Sequence, residues 1–306
     1  MRAIGDRGHE TAVLNNLGLL AQARGQQRQA RALFEEALDT QRTIGQTAIA
    51  APLLNNLGTT YQALGDWQRA VAYFQQALAR HQVTGDRAGQ ATALANIGGL
   101  HLEREAYAEA RAAFEQALAL VQASGDRDSE TTLLNNLAAV LRAQGEVDRS
   151  AEHLATVLAI AREVGNREME ATALSNLAAV RFDRRDLPGA RADLEAALAI
   201  RFETSDLLTA GATLNNLAAV SSAQGDPAAA VDYYERALAV RRQIEDVAGQ
   251  ARTLYNLGLL CADLDDLHRA EIALTEAIAL GEQYDLPQLA RDRNALMEIR
   301  GRLDLT

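Results

Sequence analysis

Leu54-Asn55-Asn56-Leu57-Gly58-Thr59-Thr60-Tyr61-Gln62-Ala63-Leu64-Gly65-Asp66-Trp67 decides the fold of this chain, because its second asparagine returns at a fixed interval. Asn16, Asn56, Asn96, Asn136, Asn176, Asn216 and Asn256 stand 40 residues apart, without slippage. Leu or Ile follows each asparagine, Gly or Ala follows that, and alanine recurs fourteen residues on, as at Ala30, Ala70 and Ala110. Eighteen residues on stand Phe34, Phe74, Phe114, Leu154, Leu194, Tyr234 and Leu274. A period of this length is the mark of stacked supersecondary units, each burying its apolar face against the next.

Each unit reads as two helices. Leu53, Leu57, Tyr61 and Leu64 recur at steps of three and four, one apolar stripe on a first helix. Gly65-Asp66 then breaks it: glycine takes the left-handed conformation that closes a helix, and aspartate accepts the free N–H groups of the next. The second helix carries Ala70, Phe74, Ala77 and Leu78 and ends at a second glycine-plus-cap pair, as at Gly85-Asp86, Gly125-Asp126 and Gly165-Asn166. Pro227 sits at a first helical position, where its missing N–H costs nothing. Pro52, near a helix start, predicts a delayed start or a kink. Glu105, Arg185 and Asp265 stand in place of the junction glycine, so those three turns lack the glycine signal.

The repeats predict boundaries near 8–45, 46–85, 86–125, 126–165, 166–205, 206–245 and 246–284, within a single solenoid over 1–306. Met1-Arg2-Ala3-Ile4-Gly5-Asp6-Arg7 matches the end of a unit (His81 to Arg87), which predicts more repeats or an effector domain upstream. After Gly281 the frame is lost. Leu289, Leu296, Ile299 and Leu303 form one apolar face, with Arg291, Asp292, Arg293, Glu298, Arg300 and Arg302 around the rest, a capping helix near 287–304.

Composition agrees with helices. Hydrophobic residues make up 48% and aromatic ones only 4%, so the apolar content is mostly Ala and Leu, which favour helix over strand. All 30 basic residues are arginine, a choice that fits a GC-rich bacterial genome. A net charge of -11 argues against a nucleic-acid partner, whose phosphates need basic residues. No apolar run reaches the roughly 18 residues of a membrane span, and no signal-peptide pattern opens the chain. The lone Cys261 can form no internal disulfide and reads as a small buried hydrophobe. These features predict a cytoplasmic protein.

Asn-Leu-Gly-x-x-Tyr-x-x-Leu-Gly-Asp-Trp (Asn56 to Trp67), followed by Ala70, Phe74 and Ala77, resembles the tetratricopeptide repeat over nearly the whole chain, in seven copies. The unit is longer than the usual length of about 34 residues and is similar to the long-repeat subclass of kinesin light chains, Pins-type polarity proteins and bacterial regulators that bind signalling peptides. HEAT repeats share the period but not this frame. The resemblance implies an all-α, right-handed α-solenoid of seven antiparallel helix pairs plus a C-terminal capping helix. It also implies that first helices line a concave groove and that asparagine ladders hold extended peptides there.

On the face through each ladder asparagine the neighbours are small, as in Thr132/Asn136/Ala139/Ala143 and Ala212/Asn216/Ala219/Ala223. A carboxamide donates and accepts, so it can pair with a peptide main chain whatever its sequence. The same group can instead bond a neighbouring helix and fix repeat spacing. Asn55, Asn135 and Asn215, one residue earlier, are secondary candidates, as are the groove charges Glu103, Arg142, Asp183 and Arg252. Phe182 reads equally as an exposed anchor or as core.

No catalytic, metal or cofactor signature stands out. His9-Glu10 lacks the second histidine of a zinc helix, since Val13 holds that place, and the other histidines share no spacing. Asp263-Leu264-Asp265-Asp266 lacks the glycine and terminal glutamate of a calcium loop. The expected function is non-catalytic binding of a protein or peptide segment, with no nucleic acid and no membrane. The alternatives are a regulatory arm of a larger bacterial signalling protein, such as an ATPase switch or a protease, and a self-assembling scaffold.

Overall fold

The computed structural model describes the backbone of residues 2–44 and 50–304 and the side chains of 7–43 and 51–304. The chain divides into two compact units, Met1–His153 and Leu154–Thr306. The first holds α1 (Arg2–Ala23), α2 (Gln27–Ile44), α3 (Ala50–Ala63), α4 (Trp67–Thr84), α5 (Arg87–Glu103), α6 (Tyr107–Ser124) and α7 (Arg127–Ala143). The boundary falls inside α8 (Val147–Glu163). The second unit continues with α9 (Arg167–Asp183), α10 (Leu187–Glu203), α11 (Leu207–Ala223), α12 (Pro227–Gln243), α13 (Val247–Asp263), α14 (Leu267–Tyr284) and α15 (Leu289–Leu303). No strand occurs among the described residues. In each unit a first helix pairs with the second helix that follows, and that second helix packs on the next first helix. This is the α-solenoid construction.

The packing follows from residue sizes in the repeat. Phe34, Phe74 and Phe114 have no exposed surface. Each ring lies against the glycine sixteen residues before it: a Cβ on Gly58 would come within 2.4 Å of the Phe74 ring, and one on Gly98 within 2.7 Å of the Phe114 ring. Glycine at that position is therefore set by close approach, not by a turn. The second unit solves the same problem with a smaller filler, Leu194, and alanine at position 178, both in one buried cluster. Ser150 takes the alanine position in the fourth repeat, and its hydroxyl donates to the Ala138 carbonyl at 2.7 Å.

The glycine–aspartate and glycine–asparagine junctions form caps as predicted, aspartates that follow other turn residues cap as well, and Ala106, after Glu105, makes no side-chain cap bond. Asp66, Asp86, Asp126, Asn166, Asp186, Asp206, Asp226, Asp246 and Asp266 each accept the backbone N–H three residues on. The N–H of Gly89 holds the Asp86 carboxyl below its ordinary range, and the Ser129 hydroxyl does the same for Asp126.

The three first-to-second-helix junctions without glycine also close. Glu105, Arg185 and Asp265 adopt φ of 58°, 63° and 62°, beside 77° for Gly65. Their turns keep the same bonds, for example Glu105 N–H to Leu102 C=O at 3.0 Å and Arg185 N–H to Phe182 C=O at 3.0 Å. The left-handed conformation costs a side-chain-bearing residue roughly 1–2 kcal/mol, and glycine gives back part of the gain as unfolded-state entropy. Glu105→Gly and Arg185→Gly are each expected to raise stability by roughly 0.5–1 kcal/mol in denaturant melts, and Asp265→Gly by less, because it also removes the ion pair of Asp265 with Arg302. Lowered midpoints would show that those side chains stabilise their turns by other contacts.

Three expectations need correction or completion. Gly5-Asp6 does not interrupt α1, which runs unbroken from Arg2 to Ala23. Pro52 lies in the first turn of α3, which begins at Ala50; residues 45–49 before it lie outside the described residues. Asp292 is fully buried rather than part of the polar surface of α15. One of its oxygens accepts from both Nε and an Nη of Arg291, whose guanidinium lies 3.7 Å from the Tyr255 ring centre. The rest of α15 behaves as expected, with Leu296 and Ile299 buried and Leu289 and Leu303 half-buried.

Candidate functional site

The apolar stripe of each first helix turns into the core and leaves a second face outside. In the first unit that face carries Pro52, Asn56, Thr59 and Ala63 on α3, Thr92, Asn96, Gly99 and Glu103 on α5, and Thr132, Asn136, Ala139 and Ala143 on α7. Asn56, Asn96 and Asn136 are half-buried and Asn16 on α1 is exposed. The second unit presents Asn176 and Asn256 half-buried and Asn216 exposed. With small residues beside most of them, the carboxamides are the principal polar groups reaching out of this face.

Hydrogen bonding divides the asparagines into two kinds. Asn56 Nδ2 donates to Asn15 Oδ1 at 2.9 Å, a link between successive first helices. Asn215 is buried and trades bonds with Thr253, donating to its Oγ1 at 3.1 Å and accepting from it at 3.2 Å. These two serve repeat spacing, and Asn215, an expected groove residue, is withdrawn into the protein because Thr253 is within reach of its carboxamide. Asn135 and Asn176 also have partners. Among the described residues the carboxamides of Asn16, Asn96, Asn136, Asn216 and Asn256 make no hydrogen bond to protein. Asn55 is half-buried, and its Oδ1 is enclosed without a donor.

The candidate charges Glu103, Arg142, Asp183 and Arg252 are all exposed. Glu103 Oε1 accepts from Gln62 Nε2 at 2.7 Å, Arg142 and Asp183 have partners, and Arg252 has no ion pair among the described residues. Phe182 is half-buried and packs on the core of the second unit, which favours the packing reading over an exposed anchor. Cys261 is buried, and burial pushes its thiol up.

Two features were missed by the sequence reading. A cavity of about 340 Å³ opens between α5, α6 and α7, lined by Ala88, Ala91, Ala95, Asn96, Val121 and Leu133 among others. At the repeat position of Val121 four other units carry buried polar groups, Gln41, His81, Arg201 and Arg241, and two carry the smaller Ala161 and Gly281. His81 lies with Nδ1 2.8 Å from Asp86, Arg201 donates to the Thr209 carbonyl at 2.8 Å, and Arg241, 1% exposed, donates to Asp246 at 2.7 Å. Burial pushes both arginines below their ordinary value. The signal was present in the size change from His and Arg to Val at one repeat position, but only the packed structure shows what that position faces.

Among the described residues no three His, Cys, Asp or Glu side chains converge as a metal site, and His9 and Glu10 are exposed. None of the described helices is long and apolar enough to cross a membrane.

Comparison with known proteins gives the family. Sequence models of the tetratricopeptide repeat match residues 49–123, 129–201 and 209–283, and another matches residues 11–46. No curated protein sequence matches significantly. Among solved structures, a signal transduction ATPase with numerous domains and a tetratricopeptide repeat sensor, from Pyrococcus horikoshii, is 14% identical with a TM-score of 0.75. That match covers 97% of this chain and 45% of the other. A Rap protein complexed with competence and sporulation factor is 16% identical with a TM-score of 0.61, covering 97% and 99%. BtubC (BKLC) from P. vanneervenii is 21% identical with a TM-score of 0.59, covering 80% and 91%. At these identities the likeness is one of fold, and no catalytic family is indicated. Repeats covering most of its length, in sequence and in structure, place the chain in the tetratricopeptide repeat family.

Proposed function

We propose that this protein-interaction module holds an extended peptide or partner segment against the exposed faces of its first helices. Ladder carboxamides pair with the main chain, and neighbouring side chains select the sequence. The observation that carries this reading is the split among the asparagines. Half-buried Asn96 and Asn136 are held in place with no hydrogen-bond partner in the protein, whereas Asn56 and Asn215 are satisfied internally. A half-buried carboxamide without a protein partner can exchange its bonds to water for bonds to a ligand main chain. The small groups at Gly99 and Ala139 let a main chain approach.

A displayed library of random peptides, selected on the native chain and on an Asn96→Ala/Asn136→Ala variant that melts like it, tests the reading. Enrichment on the native chain that the variant loses is the expected outcome. Equal enrichment on both would move the binding surface elsewhere.

A second reading rests on α1. Val13, Leu17 and Leu20 are 56%, 46% and 47% exposed, whereas their repeat counterparts Leu53, Leu57 and Thr60 are fully buried. An uncovered apolar stripe suits a further structural element, as in a regulatory arm of a larger bacterial signalling protein, or a second copy in a scaffold. The Pyrococcus protein carries its repeats as a sensor. Light scattering over a concentration range separates these: a strict monomer would exclude the scaffold.

A further inference from the structure

We infer that the cavity beside Asn96 is a specificity pocket that receives one bulky apolar side chain of the bound segment. This rests on the peptide-binding reading above and adds to it what the segment must contain.

The cavity exists because one repeat position is underfilled. Arg241 occupies the gap between α11 and α13: a Cβ on Gly211 would come within 3.1 Å of its side chain, and one on Gly249 would collide with its Nη1. His81 fills the corresponding gap against Gly89 in the same way. Between α5 and α7 the equivalent residue is Val121, and the residues equivalent to Gly211 and Gly249 are Ala91 and Ser129; all three line the cavity. Valine is too short to span the space, so about 340 Å³ stays open toward the face that carries Asn96, near the lower end of ligand-binding cavities, roughly 300–1,000 Å³.

The lining selects an apolar occupant. Ala91, Ala95, Leu120, Val121 and Leu133 offer hydrocarbon. The polar lining groups are already engaged locally. Thr92, Thr132 and Ser124 donate to carbonyls of their own helices, and Asp126 accepts the N–H and hydroxyl of Ser129. No polar group in the floor asks for a partner. Arg87, Asp126 and Asp128, all exposed, leave the rim with one net negative charge, which disfavours an acidic occupant. The unpaired carboxamide of Asn96 forms part of the wall, where it can hold the main chain on either side of an inserted side chain.

Two variants fill the pocket. Val121→Arg copies the fold's own solution at positions 201 and 241, and Ala88→Leu copies Leu208, 59% exposed at the same place in its repeat. The second alters an exposed position, so it keeps the test alive if the first fails to fold. Peptides selected on the native chain are measured by fluorescence anisotropy, each beside a version with its bulky apolar anchor replaced by alanine. On the native chain the replacement is expected to weaken binding roughly ten- to hundred-fold. On the pocket-filled chains the two versions should bind within about threefold of each other. Selected peptides without a fixed bulky apolar position, or an anchor effect that persists undiminished on both folded variants, would overturn the pocket. If those peptides still depend on Asn96 and Asn136, only the pocket falls. If nothing binds the native chain, the peptide-binding reading falls and the pocket with it.

Discussion

Phe114→Ala is expected to destabilise the first unit by about 3–5 kcal/mol, the range for removing a fully buried phenylalanine. The ring has no exposed surface and shares a cluster with Leu94, Ala110, Ala117 and Leu133, which belong to α5, α6 and α7. It therefore joins one helix pair to the next first helix. In stacked repeats, stability is approximately a sum of unit terms and nearest-neighbour interfaces, and this substitution reduces both. Chemical denaturation followed by circular dichroism should show an earlier transition for the first unit. A change below about 1 kcal/mol would place the ring outside the core.

Gly58→Ala is the second large effect and has the opposite geometry, since it adds one carbon where there is no room. The new Cβ would lie 2.4 Å from the Phe74 ring, which must move. Overpacking of this kind costs roughly 1–3 kcal/mol, against the helix-propensity gain of about 1 kcal/mol that Gly→Ala normally brings. The net change is expected to be a loss of up to about 2 kcal/mol. In a Phe74→Leu background the same substitution should cost far less, because the second unit pairs Ala178 with Leu194 in this arrangement. The difference between the two backgrounds is the coupling energy of the pair, measured as a double-mutant cycle. Equal costs in both would mean that the ring and the glycine do not constrain each other.

These two residues also show why so much of the fold was legible. The 40-residue frame is a record of packing sizes, with a gap-filling ring or leucine eighteen residues after the asparagine and a small residue two after it. The caps were legible for a similar reason: glycine followed by aspartate or asparagine has a local meaning that tertiary context left unchanged. At Glu105, Arg185 and Asp265 context overrode local preference, because helix pairs on both sides oblige the chain to turn there. Asp292 was misplaced because a helical wheel records direction only. Its burial depends on how α15 settles on α14 and on the arginine beside it.

The candidate site was legible in position but not in state. Spacing alone puts Asn56 and Asn96 on equivalent faces, yet one finds Asn15 and the other finds no partner. The difference arises one repeat earlier. The residue forty-one before Asn56 is Asn15, whose Oδ1 accepts its bond; the residue forty-one before Asn96 is Asn55, whose Oδ1 lies enclosed without a donor. Side-chain rotation separates these outcomes, and no repeat pattern encodes it. The cavity was hidden for a related reason, since a Val in place of His or Arg marks a hole only once the facing residues are known.

The most direct test of main-chain recognition by the ladder observes the carboxamides themselves. A chain labelled with ¹⁵N at asparagine gives side-chain amide signals that single Asn→Ala substitutions assign. Titration with a peptide selected on the native protein should shift the Asn96 and Asn136 side-chain signals while those of Asn56 and Asn215, already bonded within the protein, stay in place. Saturable peptide binding that leaves Asn96 and Asn136 unmoved would contradict the account and return the ladder to a purely structural role.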